Sequence, residues 1–190
     1  RVKNNLQVIS SLLSLQQRMA DPSAQEALAD SQMRVRAMAL IHELLYERSD
    51  APVISLVVYL RRLIRLLHDS AGATRSPYTV TFEIVGKQDF VLDPQRAVPC
   101  GLLVTELVTN AIKHAFHGRA NGRVVVRIET VDGKARLSVI DDGIGLPADV
   151  EPGNTPSLGF QLIPMLVDQL EGEVSIERGA GTRFNILFAP

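Results

Sequence analysis

The segment TELVTNAIKHAFH carries polar side chains at helical spacing. Glu106, Asn110, Lys113 and His117 stand at i, i+4, i+7 and i+11, with His114 beside them. This spacing places the four on one face of a helix, opposite a face of leucine and alanine. Asparagine is unfavourable inside a helix because its amide competes for backbone hydrogen bonds. Taken alone, such a face is typical of a solvated helix surface. The motifs that follow make it a candidate ligand-binding face.

Glycines after a strand and at a helix start could bring backbone close to a ligand. The strand-like LSVID runs into DDGIGLP, so Asp141 is followed by Gly143 and Gly145. Glycine permits a sharp turn and close backbone approach at such a strand end. In SLGFQLI, Gly159 lies at the start of a predicted helix, where free N–H groups bind phosphate. A single Gly-x-Gly is weak evidence, and the Asp-x-Asp spacing of a calcium loop is absent.

The second half of the chain must position these motifs, and its pattern predicts strands alternating with helices. Helices are expected over about 54–70, 94–116 and 159–171, and strands over 78–85 and 89–92. RVVVRIETV and ARLSVID flank Asp132-Gly133, a strong hairpin signal, and two more strands meet around 179–181. This order predicts an α+β fold with helices on one face of the sheet. Pro164 falls inside the last helix and is expected to end or kink it early.

The first 47 residues predict an antiparallel hairpin of two helices. Two apolar seams run along the first helix, Val2, Leu6, Ile9, Leu13 and Val8, Leu12, Leu15, Met19. Asp21-Pro22 interrupts the pattern, and a capping box from Ser23 to Glu26 begins a second helix that reaches about Tyr46. A hairpin with unused apolar seams has no core of its own, and pairing two copies completes a four-helix bundle. We therefore predict a homodimer and two domains, 1–50 and 51–190.

The composition excludes several classes of protein. Hydrophobic residues make up 46% of the 190 residues and charged residues 22%, which is typical of a soluble globular protein. Twenty basic residues against 21 acidic ones give no reason to expect nucleic-acid or anionic-membrane binding. Cys100 is the single cysteine, so no internal disulfide is possible, and its apolar surroundings predict a buried thiol. No transmembrane span or secretory signal is recognisable, and we expect a cytoplasmic piece of a longer protein.

Taken together, four motifs resemble the ATP-binding domain of sensor histidine kinases. They are TELVTNAIKHAF, DDGIGLP, SLGFQLI and GAGTRFNILF. That domain has the Bergerat-type α/β-sandwich fold shared with Hsp90, gyrase and the anti-sigma-factor kinases. The opening RVKNNLQ and the later IHELLY resemble the two bundle helices of a class related to the HWE kinases, although the chain has no Trp and so lacks the Trp motif of that subgroup. A further departure is Phe160, where the family usually has leucine.

The resemblance implies ATP and Mg²⁺ as cofactors and a role for each matched polar residue. Asn110 would hold Mg²⁺ through its side-chain oxygen, since magnesium takes few protein oxygens beside phosphate and water. Glu106 would bind a metal-ligating water or act as a base. Lys113 and His114 would neutralise charge on the phosphates. Asp141 would accept the hydrogen of the adenine amino group, which distinguishes adenine from guanine.

The glycine motifs would shape the pocket around the nucleotide. Gly143 and Gly145 would allow close approach, Gly159 would open the helix on the phosphate side, and Gly181 and Thr182 would complete the adenine pocket. The segment 146–158 would form a mobile ATP lid.

The resemblance also implies that the phosphoacceptor histidine immediately precedes Arg1. A residue at that position shares a helical face with Lys3 and Asn4. Lys3 could stabilise the phosphoryl group and Asn4 could orient a water for dephosphorylation, with ordinary surface polarity as the alternative for both. His42, in IHELLY, resembles a common acceptor motif, but the sequence after it differs, so we do not expect it to be phosphorylated.

The predicted function is that of an ATP-dependent sensor histidine kinase core. Phosphate would pass from Mg·ATP to the histidine and then to an aspartate of a response-regulator receiver docked on the bundle. No nucleic acid and no direct membrane contact are expected. Two alternatives stay open at this point. One is a serine kinase of the anti-sigma type, which lacks the helical hairpin, and the other is a non-catalytic nucleotide-binding scaffold or phosphotransfer dimer.

Overall fold

The computed structural model describes residues 2–47, 53–70, 78–85, 90–155 and 157–190. The helices are α1 (Val2–Met19), α2 (Pro22–Glu47), α3 (Leu56–Ser70), α4 (Pro94–Asn110) and α5 (Leu158–Gln169), and a π-helical turn (Ala111–Ala115) continues α4. The strands are β1 (Ile54–Ser55), β2 (Tyr78–Val85), β3 (Val91–Leu92), β4 (Gly122–Val131), β5 (Lys134–Asp141), β6 (Glu173–Gly179) and β7 (Gly181–Phe188). Within these ranges, no helix combines the length and the apolar character that spanning a membrane requires.

The N-terminal helices form the predicted antiparallel hairpin. Lys3 Nζ donates to Glu43 Oε1 at 3.0 Å, and Gln32 Nε2 donates to the carbonyl of Ser10 at 3.1 Å. The expected capping box at Ser23 is wrong. Asp21 caps α2 instead, because its Oδ1 accepts from the N–H of Ala24 at 3.0 Å and the following proline already occupies the first helical position.

One of the two apolar seams of α1 is left uncovered within the chain. In the first seam, Leu6 and Leu13 are half-buried on the side of α1 that faces α2, whereas Val2 and Ile9 are each 44% exposed. The exposed fractions are 59% for Val8, 55% for Leu12, 57% for Leu15 and 90% for Met19, the members of the second seam. The hairpin therefore presents a continuous apolar stripe on the side away from α2.

A five-stranded sheet in the order β2-β4-β5-β7-β6 carries the second half of the chain. β2 runs parallel to β4, and the other neighbours are antiparallel. Asp132 and Gly133, with φ of 51° and 78°, make the predicted two-residue turn between β4 and β5. The register of β5 with β7 places Asp141 opposite Thr182. The sheet thus brings two predicted site residues together although they are far apart in sequence.

Helices α3, α4 and α5 pack against the sheet, and α2 packs against α3 and α4. Gly101 lets α3 and α4 come close, since a Cβ there would lie 1.7 Å from Tyr59 Oη. Tyr59 Oη in turn donates to the carbonyl of Ala37 on α2 at 3.3 Å. The predicted burial of Cys100 is confirmed, and burial raises the pKa of its thiol to about 12. The bundle and the sheet domain therefore share one packed junction.

Two expectations about the helices need correction. The helix expected over 94–116 is α-helical only to Asn110, and a wider π turn follows it. Pro164 does not end α5 early, because the helix continues to Gln169. Pro164 has no N–H to donate to the carbonyl of Phe160, four residues earlier. That carbonyl accepts from the N–H of Gly153 at 3.0 Å instead. The hydrogen bond that proline removes is thus replaced by one from the neighbouring loop.

Candidate functional site

A cavity of about 400 Å³ opens between α4, the end of β5, the 146–158 segment and α5. Its volume lies in the range of small-molecule sites, which is roughly 300–1,000 Å³. The predicted site residues in its lining are Asn110, His114, Asp141, Gly145 and Thr182. These residues come from three of the four sequence motifs, so the fold assembles them into one site.

Most of the cavity wall is apolar, and the sequence predicted none of these apolar side chains as a ligand contact. The apolar lining includes Leu107, Val139, Ile144, Leu146, Phe160 and Phe184. Such a wall suits a flat aromatic ring, with a few polar groups that fix its orientation. Phe160 also meets Phe184 edge to face, with ring centroids 6.1 Å apart. Alternating apolar residues in strands signal a core face, and their sequence pattern does not reveal which of them border a cavity.

Asp141 is the carboxylate of the cavity and is held by backbone donors. Its Oδ1 accepts from the N–H of Gly143 at 2.9 Å and from the N–H of Thr182 at 3.2 Å. Burial raises the pKa of Asp141 above its ordinary value, and the hydrogen bonds from Gly143 and Thr182 offset only part of that effect. The side chain is therefore fixed in orientation and placed to accept a hydrogen bond from a ligand.

The glycines around Asp141 serve mainly the packing of the backbone. Gly181 has φ of 104°, and a Cβ there would lie 2.0 Å from the carbonyl oxygen of Asp141. A Cβ at Gly143 would lie 2.2 Å from the carbonyl oxygen of Ala115. Neither residue is in the cavity lining, whereas Gly145 is. Gly143 and Gly181 thus support Asp141 from behind, and a larger residue at either position would displace the loop.

Two polar atoms in the cavity wall have no hydrogen-bond partner. Within the described part of the chain, Asn110 Nδ2 and Thr155 Oγ1 are the buried side-chain polar atoms that lack one, and both residues line this cavity. Buried polar groups are nearly always satisfied, so this pair offers two hydrogen-bonding positions to a polar ligand or to water in the cavity. The amide of Asn110 can turn either its oxygen or its nitrogen to that ligand. The side-chain oxygen of Asn110 fits a single protein ligand to Mg²⁺ whose other ligands are mainly phosphate oxygens.

The π turn separates residues that an α-helix would have kept on one face. It begins directly after Asn110 and contains Lys113 and His114. His114 lines the cavity, whereas Lys113 contacts α2 and His117 is exposed beyond the turn. The polar face expected from α-helical spacing therefore ends at Asn110.

Glu106 and Lys113 are held by charged residues of α2. Arg34 Nε and Nη2 donate to the two carboxylate oxygens of Glu106 at 2.5 Å and 2.9 Å. The exposed fractions of these side chains are 14% for Arg34 and 6% for Glu106. Lys113 Nζ lies 2.6 Å from Asp30 Oδ1 and 2.9 Å from Glu26 Oε1. Glu106 belongs to α4 and Lys113 to the π turn that continues it, but neither side chain is part of the cavity lining.

These ion pairs affect the charge of the lysine. Burial alone would lower the pKa of Lys113, but the hydrogen bonds and the negative charges of Asp30 and Glu26 together outweigh burial, and the pKa is raised. Lys113 therefore keeps its positive charge, which the two carboxylates of α2 balance.

The segment 146–158, predicted as a lid, covers one side of the cavity with Leu146, Pro147, Val150, Thr155 and Ser157. Besides the Gly153 to Phe160 hydrogen bond, this segment is tied to β6, because Arg178 Nη2 donates to Glu151 Oε1 at 2.5 Å. Pro156 lies outside the described residues. Gln161 of α5 also donates to the carbonyl of Thr155 at 2.9 Å, so the segment is attached both to α5 and to the sheet.

Gly159 lies at the first turn of α5, directly against the acidic residue of α4. A Cβ at Gly159 would lie 2.4 Å from Glu106 Oε2 and 3.7 Å from Asn110 Nδ2. Only glycine therefore allows α5 to begin at this position while Glu106 is paired with Arg34.

Lys3 and Asn4 lie on the first turns of α1, outside the cavity. Lys3 is paired with Glu43, and Asn4 is exposed. The structure thus does not bring these two residues to the other predicted site residues.

The chain matches two protein families, which together span most of its length. The model of a family described as "Histidine kinase" matches residues 1–71. The model of a family described as "Histidine kinase-, DNA gyrase B-, and HSP90-like ATPase" matches residues 96–190. The four sequence motifs fall within the second match, and the α1–α2 hairpin falls within the first.

Individual proteins resemble the chain over nearly its whole length. Sensor histidine kinase PdtaS of Mycobacterium tuberculosis is 37% identical over 94% of this chain and 36% of its own length. Blue-light-activated histidine kinase 2 of Erythrobacter litoralis is 32% identical over 98% of this chain and 54% of its own length. The solved histidine kinase domain of EL346 from the same organism has a TM-score of 0.76 at 27% identity, over 97% of this chain and 94% of that domain. The chain thus spans between about a third and about half of the length of the two full-length relatives, PdtaS and blue-light-activated histidine kinase 2.

Proposed function

The chain belongs to the histidine kinase family, with a C-terminal ATPase domain of the kind found in gyrase B and Hsp90, and from this premise we propose that it phosphorylates a histidine from ATP and passes the phosphoryl group to an aspartate of a response regulator. The cavity at Asn110 and Asp141 carries this proposal. It combines a backbone-held carboxylate, an apolar wall and two unsatisfied polar atoms in one site.

The adenine ring is proposed to bind at the Asp141 end of the cavity. The Asp141 carboxylate would accept a hydrogen bond from the adenine amino group, and the apolar wall would cover the ring faces. Guanine has a carbonyl oxygen at the same place, which would face a carboxylate with no hydrogen between them. This repulsion would favour ATP over GTP.

The phosphates are proposed to bind at the Asn110 end. Asn110 and Thr155 would gain the polar partners that they lack in this structure, and His114 would donate to phosphate oxygen. Asn110 would help to hold Mg²⁺ on the phosphates, and the metal would supply positive charge against the charge that develops in phosphoryl transfer. Glu106 would bind a water on the metal or accept a proton, and Lys113 would add positive charge. Both of these roles require that α2 release the two side chains.

The phosphoacceptor is proposed to be a histidine immediately before Arg1. Lys3, one helical turn further on, would then stabilise the phosphoryl group, and Asn4 would orient a water for its removal. The receiver domain of the response regulator would dock on α1 and α2. We propose residues 1–50 as the dimerisation and phosphotransfer domain and 51–190 as the ATP-binding domain, with the boundary outside the described residues.

A homodimer is proposed because α1 presents an uncovered apolar stripe. The exposed side chains of Val8, Leu12, Leu15 and Met19 lie opposite the face that packs on α2. Two hairpins that join these stripes would bury them in a four-helix bundle.

Leu12→Lys is therefore expected to convert the dimer into a monomer, because it places a charge in the centre of the buried stripe. Equilibrium sedimentation should give twice the chain mass of 20.8 kDa for the unaltered protein and the single mass for the variant. Gln7→Lys adds the same charge at an exposed position of α1 outside the stripe and should leave the dimer intact. An unaltered chain that sediments as a monomer at micromolar concentration would contradict this proposal.

The proposed reaction is tested by extending the chain upstream of Arg1 and supplying Mg²⁺ with γ-labelled ATP. A phosphohistidine is acid-labile and base-stable, so the label on the protein should have both properties. It should also disappear when the residue immediately before Arg1 is replaced. Acid-stable label would favour a serine kinase of the anti-sigma type. An unlabelled protein that still binds ATP would be a nucleotide-binding scaffold, and the proposed reaction would be wrong.

A further inference from the structure

We infer that helix α2 is an autoinhibitory docking surface for the ATP-binding domain, in which Arg34, Asp30 and Glu26 withhold Glu106 and Lys113 from the nucleotide. This inference rests on the proposed kinase function and adds a regulatory state to it. We refer to the five residues together as the α2 clamp.

The α2 clamp has a matched pattern of charge on its two sides. Glu26, Asp30 and Arg34 are spaced by four residues and share one face of α2. They meet Glu106 and Lys113 in reverse order, so Arg34 pairs with Glu106 and the two acids pair with Lys113. A shift of α2 by one turn would place Asp30 beside Glu106, which repels it. The charges therefore favour this one register.

The three α2 residues of the clamp pair with the two predicted phosphate-side charges, Glu106 and Lys113, but not with Asn110, which lies between them in sequence. Glu106 uses both carboxylate oxygens for Arg34, and Lys113 Nζ lies within 2.9 Å of both acids of α2. Asn110 lies between them in sequence, and its Nδ2 has no partner within the described residues. In the docked structure, both predicted phosphate-side charges are therefore paired with α2 and lie outside the cavity lining.

The docked position is also far from the N-terminal turn of α1. Gln32, two residues before Arg34, donates to the carbonyl of Ser10, which sets the level of the clamp along the bundle. The proposed phosphoacceptor lies ten residues before Ser10, which corresponds to about 15 Å of helix at ~1.5 Å per residue. Phosphoryl transfer needs the reacting atoms at about 3–3.5 Å. The ATP-binding domain must therefore leave this position before it can phosphorylate that residue.

A partner chain does not remove this separation. If the two hairpins of a dimer are related by a two-fold axis along the bundle, the acceptor turns of both chains lie at the same level. The clamp is then displaced from both of them by the same distance. Opening is therefore required for transfer within one chain and for transfer between chains.

Removing Arg34 should favour the open state, because Glu106 would otherwise stay buried and unpaired against α2. The expected effect of Arg34→Ala is a rise of about tenfold in the initial rate of autophosphorylation, a typical size for coupling between two conformational states. The rate is measured with Mg·ATP in the chain extended upstream of Arg1. Asp30→Asn removes a charge from the other half of the clamp with little change of shape and should raise the rate in the same direction.

A distance measurement on the 190-residue chain tests the docking without relying on catalysis. Spin labels are attached at Ser11→Cys on α1 and Gln169→Cys at the end of α5, both exposed. Cys100 stays unlabelled because it is buried and the pKa of its thiol is raised to about 12. Labelled chains are diluted into unlabelled chains of the same variant, so that distances within one chain dominate. Arg34→Ala should broaden the distribution towards longer distances.

Arg36→Ala is the matched control. Arg36 is exposed on the same helix, and its removal should change neither the rate nor the distance. A rate that falls or stays constant in Arg34→Ala, with the melting temperature preserved, would overturn the inhibitory role, because Arg34 would then support Glu106 in catalysis. An unchanged distance distribution would overturn the docking. If no variant is labelled by ATP, the proposed kinase function fails, and the distances still decide whether the clamp holds the two domains together.

Discussion

Asn110→Ala is expected to lower the rate of autophosphorylation by about 1,000-fold, the upper end of what the loss of one electrostatic contact to a transition state costs. The proposed reaction relies on this amide to hold Mg²⁺ against the phosphates, and the cavity offers Asn110 and Thr155 as its unsatisfied polar groups within the described chain. Water would fill the space of the amide but would not fix the metal in one position. The rate is measured from phosphohistidine formation at saturating Mg·ATP.

The same substitution should not destabilise the protein. Nδ2 of Asn110 is buried without a partner, and removing an unsatisfied polar group relieves its desolvation cost of about 1–3 kcal/mol. The melting temperature of Asn110→Ala is therefore expected to equal or exceed that of the unaltered protein. Thr109→Ala is the neighbouring control, because Thr109 is outside the cavity lining. A variant of Asn110 that keeps its rate within about tenfold would contradict the role given to this residue.

Asp141→Asn is expected to weaken ATP binding by about 10- to 150-fold, since a hydrogen bond to a charged group contributes about 1.5–3 kcal/mol. The amide would place either its NH₂ or its oxygen toward the N–H groups of Gly143 and Thr182, which now donate to Oδ1. In neither orientation does the nucleotide meet a charged acceptor. Titration calorimetry with Mg·ATP and Mg·GTP should show that the preference for ATP falls together with the affinity.

The pH dependence of binding identifies the group responsible. Burial raises the pKa of Asp141, so the carboxylate takes up a proton at a higher pH than an ordinary aspartate does. ATP binding to the unaltered protein should therefore weaken as the pH falls through that raised pKa. The Asn variant has no such group and should be flat over the same interval. Asp142→Asn, at the adjacent exposed carboxylate, should keep the pH dependence but move it to lower pH, because the negative charge of Asp142 contributes to the raised pKa of Asp141. A pH profile shared by both variants would assign the titration to another residue.

The polar residues of the cavity were largely predictable as neighbours from sequence, because they lie in local motifs at strand ends and helix starts. Asp141 and Thr182 are brought together by hydrogen bonding between β5 and β7, whose boundaries are clear from the glycine-rich turns, and Gly145 follows β5 closely in sequence. The apolar wall was not predictable in the same way. Strand alternation identifies which side chains face inward, but the position of a cavity among them depends on how α4 and α5 pack.

The pairing of Glu106 and Lys113 with α2 could not be read from the sequence. Arg34 is 72 residues away from Glu106, and no local pattern links the two. The charges of α2 taken alone are typical of a solvated helix face. Only the packing of α2 on α4, through the junction around Tyr59 and Ala37, shows that this face is covered. The cap of α2 at Asp21 and the continuation of α5 past Pro164 were predicted wrongly for a related reason. In each case one hydrogen bond decided the local structure, and the residue pattern allowed two solutions.

The π turn after Asn110 has a consequence for how homologous sequences are aligned. A π turn contains one residue more than the α-helical turn that it replaces, so a relative without it would be one residue shorter in this segment. Deleting Ala111 or Ile112 could leave a regular helix of normal stability, but every later side chain would be rotated by about 100° around the axis. His114 would leave the cavity, and Lys113 would leave the acids of α2. A single-residue gap at this point in an alignment therefore marks a change of chemistry.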